Sequence, residues 1–544
     1  MRVSPLQTSH LAVRFFAIVR MYDFKWIPGG LARSELIEEM AELYSQHYGV
    51  WGPNGIRPGE KIKLSASRLR SWLQPRDSRI AWATAFGSLV GYAIAVQTRI
   101  PRHGVVSWVT QLVVHEAHRR NNVGKTLLFT IWHFTNHFAW GLITANPYAV
   151  RALEKATRRR CLPAEIRKNT ELLMSMGTEV VPYVLTSTET NITSYESRIN
   201  TEFDLDHSKL QEMLLDVCGD RNTWELGALP ERWEWFAFTF QDQAQIGLSR
   251  SELEQMLLAS DTATKEAYSR MLVGGGEHSW AKYTGSEAGF IQSVCLLRPG
   301  TRVLDFGCGA GRHSIDLAKA GMEVVGVDYI ESLISSAEAT AVASSVSVRF
   351  EVADCRHVRV DGSFDIGLCL YDVIGSYADD QENERLLRNL TRHVKPLGYV
   401  LLSVMNMEMT ERRALNWFSI DLEPDKLLAL PASNIMEKTG NVFDPAYYLI
   451  DRDTRIVYRK EQFLAGENLP QELLVRDRRY TREEIEKLCK KTGLEVIWSR
   501  FVRAGKWDEP LPREDDRAKE ILVLCRKPAA EMEMLFPEKS EIQN

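Results

Sequence analysis

The chain has 544 residues, which at about 150 residues per domain predicts roughly three to four domains. It carries 67 basic and 72 acidic side chains, so its formal net charge is −5, and 44% of its residues are hydrophobic. These proportions are typical of a folded globular protein and exclude disorder as its main state. The negative net charge argues against a protein that binds nucleic acid along its whole length, because such binding needs an excess of basic side chains.

The cysteines and the apolar runs of the sequence indicate the cellular compartment in which the protein is expected. Eight cysteines are scattered singly, without a Cys-x-x-Cys pair or a histidine cluster at metal-ligand spacing, so we expect a reducing cytoplasm and no metal site. The apolar stretch Leu11–Tyr22 is interrupted by Arg14 and Arg20, and no cleavage site follows it. No run reaches the roughly 18 apolar residues of a membrane helix. We therefore expect a soluble, cytoplasmic protein without membrane association, and the oligomeric state stays open.

The first block of regular pattern covers residues 34–157. Apolar residues at helical spacing predict a helix over Glu35–Tyr48. Two apolar runs separated by a short turn, Ile80–Ala85 and Leu89–Val96, predict a β-hairpin, and Val105–Val114 predicts the next strand.

The segment from Leu112 to Leu128 predicts a strand, a polar turn and a helix. Arg119, followed by turn residues and Gly124, leaves backbone amides free to bind a pyrophosphate at the helix start. This pattern resembles motif A of the GNAT acetyltransferase superfamily, with Arg119, Asn122 and Gly124 at its three signature positions. Asn122 replaces the usual first glycine, and asparagine tolerates the left-handed backbone better than other non-glycine residues.

A second motif follows the predicted strand Leu142–Ala145. Asn146-Pro-Tyr-Ala149, with Leu153 and Lys155, resembles motif B of the same superfamily. The resemblance implies a mixed-sheet α/β domain within residues 1–248 that binds acetyl-CoA. The implied cofactor contacts are Leu112, Val114, Arg119, Asn122, Val123, Gly124, Lys125 and Asn146.

Catalysis by this block is a separate question from its fold. Leu153 occupies the position where many members of the superfamily have a tyrosine acid, so Tyr148 is the next candidate. His115, Glu116 and His118 are candidate bases, or else they form a solvated turn. The block is therefore either an active acetyltransferase or a degenerate module that binds acyl-CoA or recruits a substrate.

Residues 158–248 extend the first block. Arg158-Arg-Arg160 is either a solvated helix end or a contact to the 3′-phosphate of coenzyme A or to RNA. Val180–Leu185 and the aromatic run Trp233–Phe240 are predicted strands. We expect them to complete the sheet of the first block, with an aromatic wall facing a substrate as the alternative.

The second block covers residues 249–544. A capping box at Ser249–Glu252 predicts a helix start, and another predicts a late helix at Thr481–Glu484. Alternating strands and helices predict a doubly wound, Rossmann-like parallel sheet that ends in an antiparallel pair. The predicted strands are Thr301–Phe306, Glu323–Val327, Ser347–Val352, Phe364–Leu370, Tyr399–Val404, Leu494–Phe501 and Glu520–Cys525.

A glycine-rich turn follows the first of these strands. Asp305 precedes glycines at 307, 309 and 311, and Asp328 ends the next strand. Glycine permits a tight turn close to a ligand, and an acid at the end of the second strand can accept hydrogen bonds from ribose hydroxyls. An acid before the glycines would repel a pyrophosphate but suits a cationic amino-acid group.

Leu304–His313 with Gly326-Val-Asp328 strongly resembles the class I S-adenosylmethionine-dependent methyltransferases, over about residues 269–528. The resemblance implies that the methionine portion binds at Asp305 and the glycines, the ribose at Asp328 and the adenine amine at Asp354; Asp354 could also be a plain turn residue. The implied contacts are Asp305, Gly307, Gly309, Gly311, Asp328, Tyr329, Asp354, Cys355 and Leu370.

Candidate bases that would deprotonate the methyl acceptor are His313, Tyr371 and Asp372. The alternative for His313 is a residue of its helix that does not touch the substrate but holds the residues that do. The segment after the fourth strand lacks the Asn/Asp/Ser-Pro-Pro-aromatic motif of DNA amino methyltransferases. The inserted segment 406–479 contains Trp417, Phe418, Phe443, Tyr447 and Tyr448, which either form an acceptor pocket or pack a cap.

Taken together, these patterns predict a methyltransferase fused to a GNAT-like acetyltransferase, acting on a small-molecule or peptide acceptor. Fusion would raise the effective concentration of a shared substrate. The alternative is a methyltransferase whose GNAT-like half is a non-catalytic module that recruits a protein or RNA substrate.

Overall fold

The computed structural model describes residues 21–73, 77–219, 224–273, 281–434, 441–464 and 470–529. Its backbone divides into two compact units, Met1–Ala263 with Gln462–Leu473, and Thr264–Glu461 with Leu474–Asn544. The predicted boundary at 248/249 differs from this division, which falls inside a helix rather than before it. The start of that helix belongs to the first unit, where Lys125 Nζ donates to Gln255 Oε1 at 2.8 Å.

The first unit is built on an eight-stranded sheet in the order β1-β2-β3-β4-β5-β8-β7-β6. Only β4 and β5 run parallel; the other neighbours are antiparallel. The strands are β1 (Tyr22–Pro28), β2 (Ser78–Ala85), β3 (Ser88–Ile100), β4 (Gly104–Val114), β5 (Ala139–Thr144), β6 (Thr190–Ile192), β7 (Ser197–Asn200) and β8 (Trp233–Phe240). The helices are α1 (Ser34–His47), α2 (Ala66–Trp72), α3 (Val123–Trp132), α4 (Pro147–Thr157), α5 (Pro163–Val180), α6 (Leu210–Cys218) and α7 (Arg250–Val273).

The aromatic run Trp233–Phe240 completes this sheet, as predicted. It forms β8, pairs with β5 on one side and β7 on the other, and buries Trp235, Phe236 and Phe238 completely. The alternative of a substrate-facing aromatic wall is wrong for these three side chains, because they pack in the core.

The predicted strand Val180–Leu185 is wrong. Helix α5 continues to Val180, and the residues after it form a turn in which Val184 N donates to Val181 O. Pro182 in this run lacks the amide that a strand ladder requires, which favours the turn.

The first two residues of the triple arginine, Arg158 and Arg159, are buried rather than solvated, and Arg160 is half-buried. Arg158 Nη1 donates to Gln245 Oε1 at 2.7 Å, and Arg159 Nη2 donates to Gln241 O at 3.0 Å. Arg160 pairs with Glu154. These contacts fasten the end of α4 to the segment after β8, so the predicted contact to coenzyme A phosphate or RNA loses Arg158 and Arg159.

The second unit is built on a seven-stranded sheet in the order β11-β10-β9-β12-β13-β20-β19. Strands β9 to β13 are parallel, and β20 is antiparallel to both β13 and β19, which confirms the doubly wound pattern and its antiparallel end. The strands are β9 (Arg302–Phe306), β10 (Glu323–Asp328), β11 (Arg349–Val352), β12 (Phe364–Cys369), β13 (Val394–Met405), β19 (Glu495–Val502) and β20 (Glu520–Arg526). The helices are α8 (Thr284–Val294), α9 (Arg312–Lys319), α10 (Glu331–Ala343), α11 (Asp380–His393) and α14 (Arg482–Lys491).

The inserted segment 406–479 forms a second, five-stranded sheet with two short helices. Its elements are α12 (Met407–Arg413), β14 (Trp417–Phe418), α13 (Pro424–Leu428), β15 (Ala432–Ser433), β16 (Tyr448–Asp451), β17 (Ile456–Leu464) and β18 (Pro470–Arg478). Phe418, Phe443 and Tyr448 are buried, so these aromatics pack the cap rather than line an acceptor pocket.

Within the described residues, no helix is long and apolar enough to cross a membrane, and no cluster of three metal-ligating side chains is found. All eight cysteines are free. The N-terminal apolar stretch lies almost wholly outside the described residues.

We expect Gly141→Ala to destabilise the first unit by about 1–3 kcal/mol. A Cβ at Gly141 would lie 2.1 Å from the ring of its cross-strand neighbour Phe238, in a sheet with no room to shift. Urea titration followed by tryptophan fluorescence measures the loss. Gly247→Ala is the matched control, since a Cβ there meets nothing within 4 Å; equal stability of the two variants would contradict the prediction.

Candidate functional site

The glycine turn after β9 requires glycine for two different reasons. Gly307, Gly309 and Gly311 have φ values of 73°, 55° and 75°, a region that other residues rarely adopt. A Cβ would lie 2.4 Å from Val373 at Gly307 and 2.7 Å from Phe350 at Gly311, whereas at Gly309 it would meet nothing within 4 Å. The middle of the turn therefore faces open space, as a ligand-binding turn must.

The two predicted acids flank this turn. Asp328 Oδ2 accepts the amide of Gly309 at 3.0 Å, and Oδ1 accepts that of Ile330 at 3.0 Å. Asp305 Oδ2 accepts the hydroxyl of Ser314 at 2.6 Å. Both acids are buried, and burial raises the pKa of each. Each carboxylate oxygen keeps a second lone pair, so Asp328 can still accept from a ligand while holding the turn.

The remaining predicted cofactor residues lie at the same edge of the sheet. Asp354 follows β11, but Arg356 holds its carboxylate through Nε and Nη2, at 3.0 and 2.6 Å. A ligand amine would have to share Asp354 with this guanidinium. Cys355 and Leu370 are buried, and Tyr329 is 43% exposed.

Tyr371 and Asp372 follow the end of β12 in a strained turn. Their φ values are 55° and 65°, and two successive left-handed residues other than glycine cost free energy that the surroundings must supply. Such strain is concentrated at functional sites. The Tyr371 amide donates to Ser403 Oγ at 2.8 Å, which holds the turn against β13.

A buried carboxylate that the sequence did not single out connects this turn to the glycine loop. Glu287 on α8 accepts hydrogen bonds from His313 Nε2 at 2.8 Å, from Arg312 Nη1 at 2.9 Å, from the Gly505 amide at 2.8 Å and from the Tyr371 hydroxyl. Burial opposes ionisation of Glu287, but the His313 hydrogen bond and the Arg312 charge outweigh it and lower its pKa to about 2. No motif marks Glu287, because its partners come from distant segments.

The surroundings shift the pKa of each candidate base differently. Burial and the Arg312 charge lower the pKa of His313, so its ring is neutral at pH 7 and donates from Nε2 to Glu287. Burial raises the pKa of Tyr371 far above neutrality, which disqualifies it as a base. Burial also raises the pKa of Asp372, reinforced by the nearby charge of Asp477.

Glu520 is a further candidate that the sequence did not indicate. It begins β20 opposite Met405, which places it at the carboxyl edge of the parallel strands. The residue is half-buried, and the Trp507 indole is the hydrogen-bond donor that lowers the pKa of its carboxyl group. Burial and the charge of Glu287 raise its pKa to about 8, so it can exchange a proton near neutral pH.

The first unit contains a second candidate site, where β4 and β5 separate. These parallel strands pair only over Val106–Val109 and Ala139–Leu142, and the pairing stops at their carboxyl ends. A bulge in β4 against β3 lies between Val109 and Gln111. Strands that diverge in this way leave backbone groups free for an extended ligand.

The loop after β4 ends in a left-handed residue at the start of a helix. Asn122 is the N-cap of α3 and has φ 61°, a backbone conformation that asparagine tolerates. The first-turn amides of Val123, Gly124 and Lys125 have no acceptor within the helix. Arg119, by contrast, donates to Val114 O and His47 O and so braces the loop. The Lys125 side chain bonds Gln255, so its backbone amide is the group left for the predicted cofactor contact.

The other predicted residues of this site are accounted for as follows. Leu112 and Val114 are half-buried in β4, and Asn146 caps α4 through Tyr148 N at 2.9 Å. The Tyr148 hydroxyl donates to Asp216 Oδ2 and accepts from Arg120 Nη2, both at 2.6 Å, and Arg120 Nη2 also donates to Asp216 Oδ2 at 2.8 Å. These bonds tie the candidate acid to α6.

The three candidate bases lie in the turn after β4 rather than at the strand separation. His115 Nδ1 accepts the Ala117 amide at 3.2 Å, His118 Nδ1 bonds the Tyr22 hydroxyl at 3.0 Å, and Glu116 is exposed. The geometry favours the solvated turn for these residues.

Comparison with known proteins assigns a class to the second unit. Residues 303–398 match the family model described as "Methyltransferase domain". This match confirms that the second block contains an α/β methyltransferase domain, and it covers β9 to the start of β13.

Individual relatives are similar over the same region. Phosphoethanolamine N-methyltransferase 1 of Arabidopsis thaliana is 41% identical over 117 residues, which are 21% of this chain and 23% of that protein. A ubiquinone biosynthesis O-methyltransferase of Rickettsia conorii is 28% identical over 162 residues, 26% of this chain and 55% of that protein. The chain thus spans between a quarter and about half the length of these two relatives. A solved S-adenosylmethionine-dependent methyltransferase from Clostridium acetobutylicum is similar at 13% identity and a TM-score of 0.33, over 49% of this chain and 99% of that one.

We expect Glu287→Gln to destabilise the second unit by about 3 kcal/mol at pH 7, the equivalent of lowering a carboxyl pKa from 4.5 to about 2. A group whose pKa falls on folding stabilises the protein above its unfolded pKa, so this difference should shrink as the pH drops from 4.5 towards 2. Urea titrations at several pH values measure it. Exposed Glu338→Gln is the control; a pH-independent difference would contradict the prediction.

Proposed function

We propose that the second unit binds S-adenosylmethionine and transfers its methyl group to a small-molecule or peptide acceptor. The observation that carries this proposal is the pairing of Asp328 with the Gly309 amide, at the carboxyl edge of a sheet that matches a methyltransferase domain. The open space at Gly309 and the acids on either side of the turn suit a cofactor with a cationic amino-acid group and a ribose diol.

The residues of the chain have distinct tasks in this proposal. Asp328, oriented by two backbone amides, would accept the ribose hydroxyls, and the negative charge of Asp305 suits the cationic methionine portion. When bound, the cofactor supplies an activated methyl group, so the protein contributes mainly orientation. The fixed turn at Tyr371, held by Ser403 and Glu287, would align the acceptor.

The acceptor class rests on the relatives to which the second unit is similar. The relatives' names describe methylation of phosphoethanolamine and a step in ubiquinone biosynthesis, which are small-molecule reactions. Where the acceptor arrives protonated, Glu520, whose pKa is about 8, would receive the proton in its ionised form, which predominates above that pH.

We expect Asp328→Ala to weaken S-adenosylmethionine binding by about 10- to 150-fold, since hydrogen bonds to a charged group are worth about 1.5–3 kcal/mol. Loss of the carboxylate also frees the Gly309 amide. Calorimetric titration of the full chain measures the affinity. Asp361→Ala, at an exposed position of the same unit, should bind like the wild type, and unchanged binding by Asp328→Ala would refute the assignment.

We also propose that the first unit transfers an acyl group from acetyl-CoA. The observation in its favour is the separation of β4 from β5 next to a helix whose left-handed N-cap leaves three amides free. Those amides suit a pyrophosphate, and the separated strands suit the extended arm of the cofactor. A non-catalytic recruiting module is the competing proposal.

We expect Gly124→Trp to abolish acetyl-CoA binding without affecting S-adenosylmethionine binding, because a Cβ there lies 3.8–3.9 Å from Leu112 and Val114, so the indole would fill the space beside the end of β4 where the cofactor would lie. Calorimetry with both cofactors measures this. Gly30→Trp, where the surroundings are open, is the control. Failure of the wild type to bind acetyl-CoA would reject acyl transfer and favour the recruiting module.

A further inference from the structure

Three side chains from separate elements of the first unit meet in one hydrogen-bonded group. Arg120 Nη2, in the loop before α3, donates to the Tyr148 hydroxyl at 2.6 Å and to Asp216 Oδ2 at 2.8 Å. The Tyr148 hydroxyl donates to the same Asp216 oxygen at 2.6 Å. Tyr148 is in the first turn of α4, and Asp216 is on α6. The group therefore connects the loop, α4 and α6.

This group lies at the edge of the sheet where β4 and β5 separate. Helix α3 follows β4 and α4 follows β5, so both helices begin where these two parallel strands end. Arg120 comes two residues before Asn122, the N-cap of the helix whose first-turn amides have no acceptor within it. Its guanidinium is thus a cation at the place where the pyrophosphate of acetyl-CoA is proposed to bind.

Helix α6 is fastened at both ends but weakly packed between them. None of its residues, Leu210–Cys218, is buried. Before it, the Gly52 amide donates to Asp204 O at 2.9 Å, and after it Trp224 packs against Trp235 with 4.8 Å between ring centroids. A segment with few buried contacts opens locally at a lower free-energy cost than the core does. The bonds of Asp216 are therefore important for holding α6 in place.

The backbone of Arg120 is strained. Arg120 has φ 66°, and Asn122 has φ 61°. Asparagine tolerates this left-handed region, whereas arginine rarely adopts it. Such a conformation persists only where the surroundings stabilise it, and the bonds to Tyr148 and Asp216 contribute to that. The loop can relax when those bonds break.

The charge of α6 opposes the binding of a diphosphate beside Arg120. Glu212 and Asp216 are four residues apart, so they lie on one face of α6. The Tyr148 hydrogen bond raises the pKa of Arg120, and the charges of Asp216 and Glu212 raise it further. A diphosphate at this position would be repelled by both carboxylates and would compete with Asp216 for the guanidinium.

We propose that α6 is an inhibitory strap: Asp216 occupies Arg120 in the free chain, and a diphosphate ligand takes Arg120 from Asp216 and so releases α6. This proposal rests on the binding of acetyl-CoA proposed above and concerns its regulation. One ion pair replaces another, and no covalent bond changes. The alternative is a structural ion pair that holds α6 whether or not a ligand is bound.

The first test follows α6 itself by hydrogen–deuterium exchange of the full chain. We expect saturating acetyl-CoA to slow exchange at the start of α3 and to speed exchange over residues 210–218, because α6 loses its contact with Arg120. A structural ion pair would not give faster exchange on binding. This measurement needs no substitution, so it does not depend on the folding of a variant.

The second test measures affinity by calorimetry. We expect Asp216→Asn to bind acetyl-CoA about two- to fivefold more tightly than the wild type, the range for breaking an exposed ion pair. Exchange over residues 210–218 should be fast in this variant before ligand is added.

Glu212→Gln is the matched control for charge. It removes the same charge from the same face of α6, and among the described residues Glu212 makes no hydrogen bond to Arg120. We expect its affinity for acetyl-CoA to change less than that of Asp216→Asn. Glu179→Gln, an exposed acid on α5, should bind like the wild type.

The outcomes separate the strap from the site that it covers. Unchanged or slower exchange in α6 when acetyl-CoA binds would overturn the strap and leave the acyl-CoA site standing. Equal affinities of Asp216→Asn and the wild type would do the same, as would an equal gain from Glu212→Gln, which is an effect of charge alone. Absence of acetyl-CoA binding in both the wild type and Asp216→Asn would reject the site and the strap together.

Discussion

The hydrogen bonds of Glu287 hold together the part of the second unit on which its candidate chemistry depends. One buried carboxylate receives donors from the helix after the glycine loop, from the turn after β12 and from the segment before β20. Its negative charge is stable in the interior because these donors offset the free-energy cost of removing the carboxylate from water. The strained backbone at Tyr371 is one consequence, since the tyrosine hydroxyl is anchored to this carboxylate while its amide is anchored to Ser403.

Two acids of the second unit illustrate how neighbours decide what a carboxyl group can do. Buried Glu287 has cationic and neutral donors around it and stays ionised, whereas half-buried Glu520 has few donors and keeps its proton towards neutral pH. The first is suited to orientation and the second to proton exchange. The same residue type therefore has opposite roles, and the difference comes from hydrogen-bond donors and burial.

The order of elements and the glycine turn could be predicted because their signals are local. Strand β9, the turn and Asp328 occupy a short stretch whose glycines are required by backbone angles. The run Val180–Leu185 failed as a strand because an apolar stretch of that length does not distinguish strand from turn, and the preceding helix and Pro182 decided the outcome. Arg158 and Arg159 failed as surface residues because their partners lie more than 80 positions away.

The sequence by itself determined the methyltransferase block, the two glycine- or asparagine-dependent turns and most strands, because each depends on a few adjacent residues. Only the tertiary structure decided which acids matter. Glu287 and Glu520 come from segments more than 200 residues apart, yet the charges of both raise the pKa of Tyr371, and the charge of Glu287 raises that of Glu520. A carboxyl group's proton affinity depends on burial and on donors within a few ångströms, and chain folding alone brings those donors together.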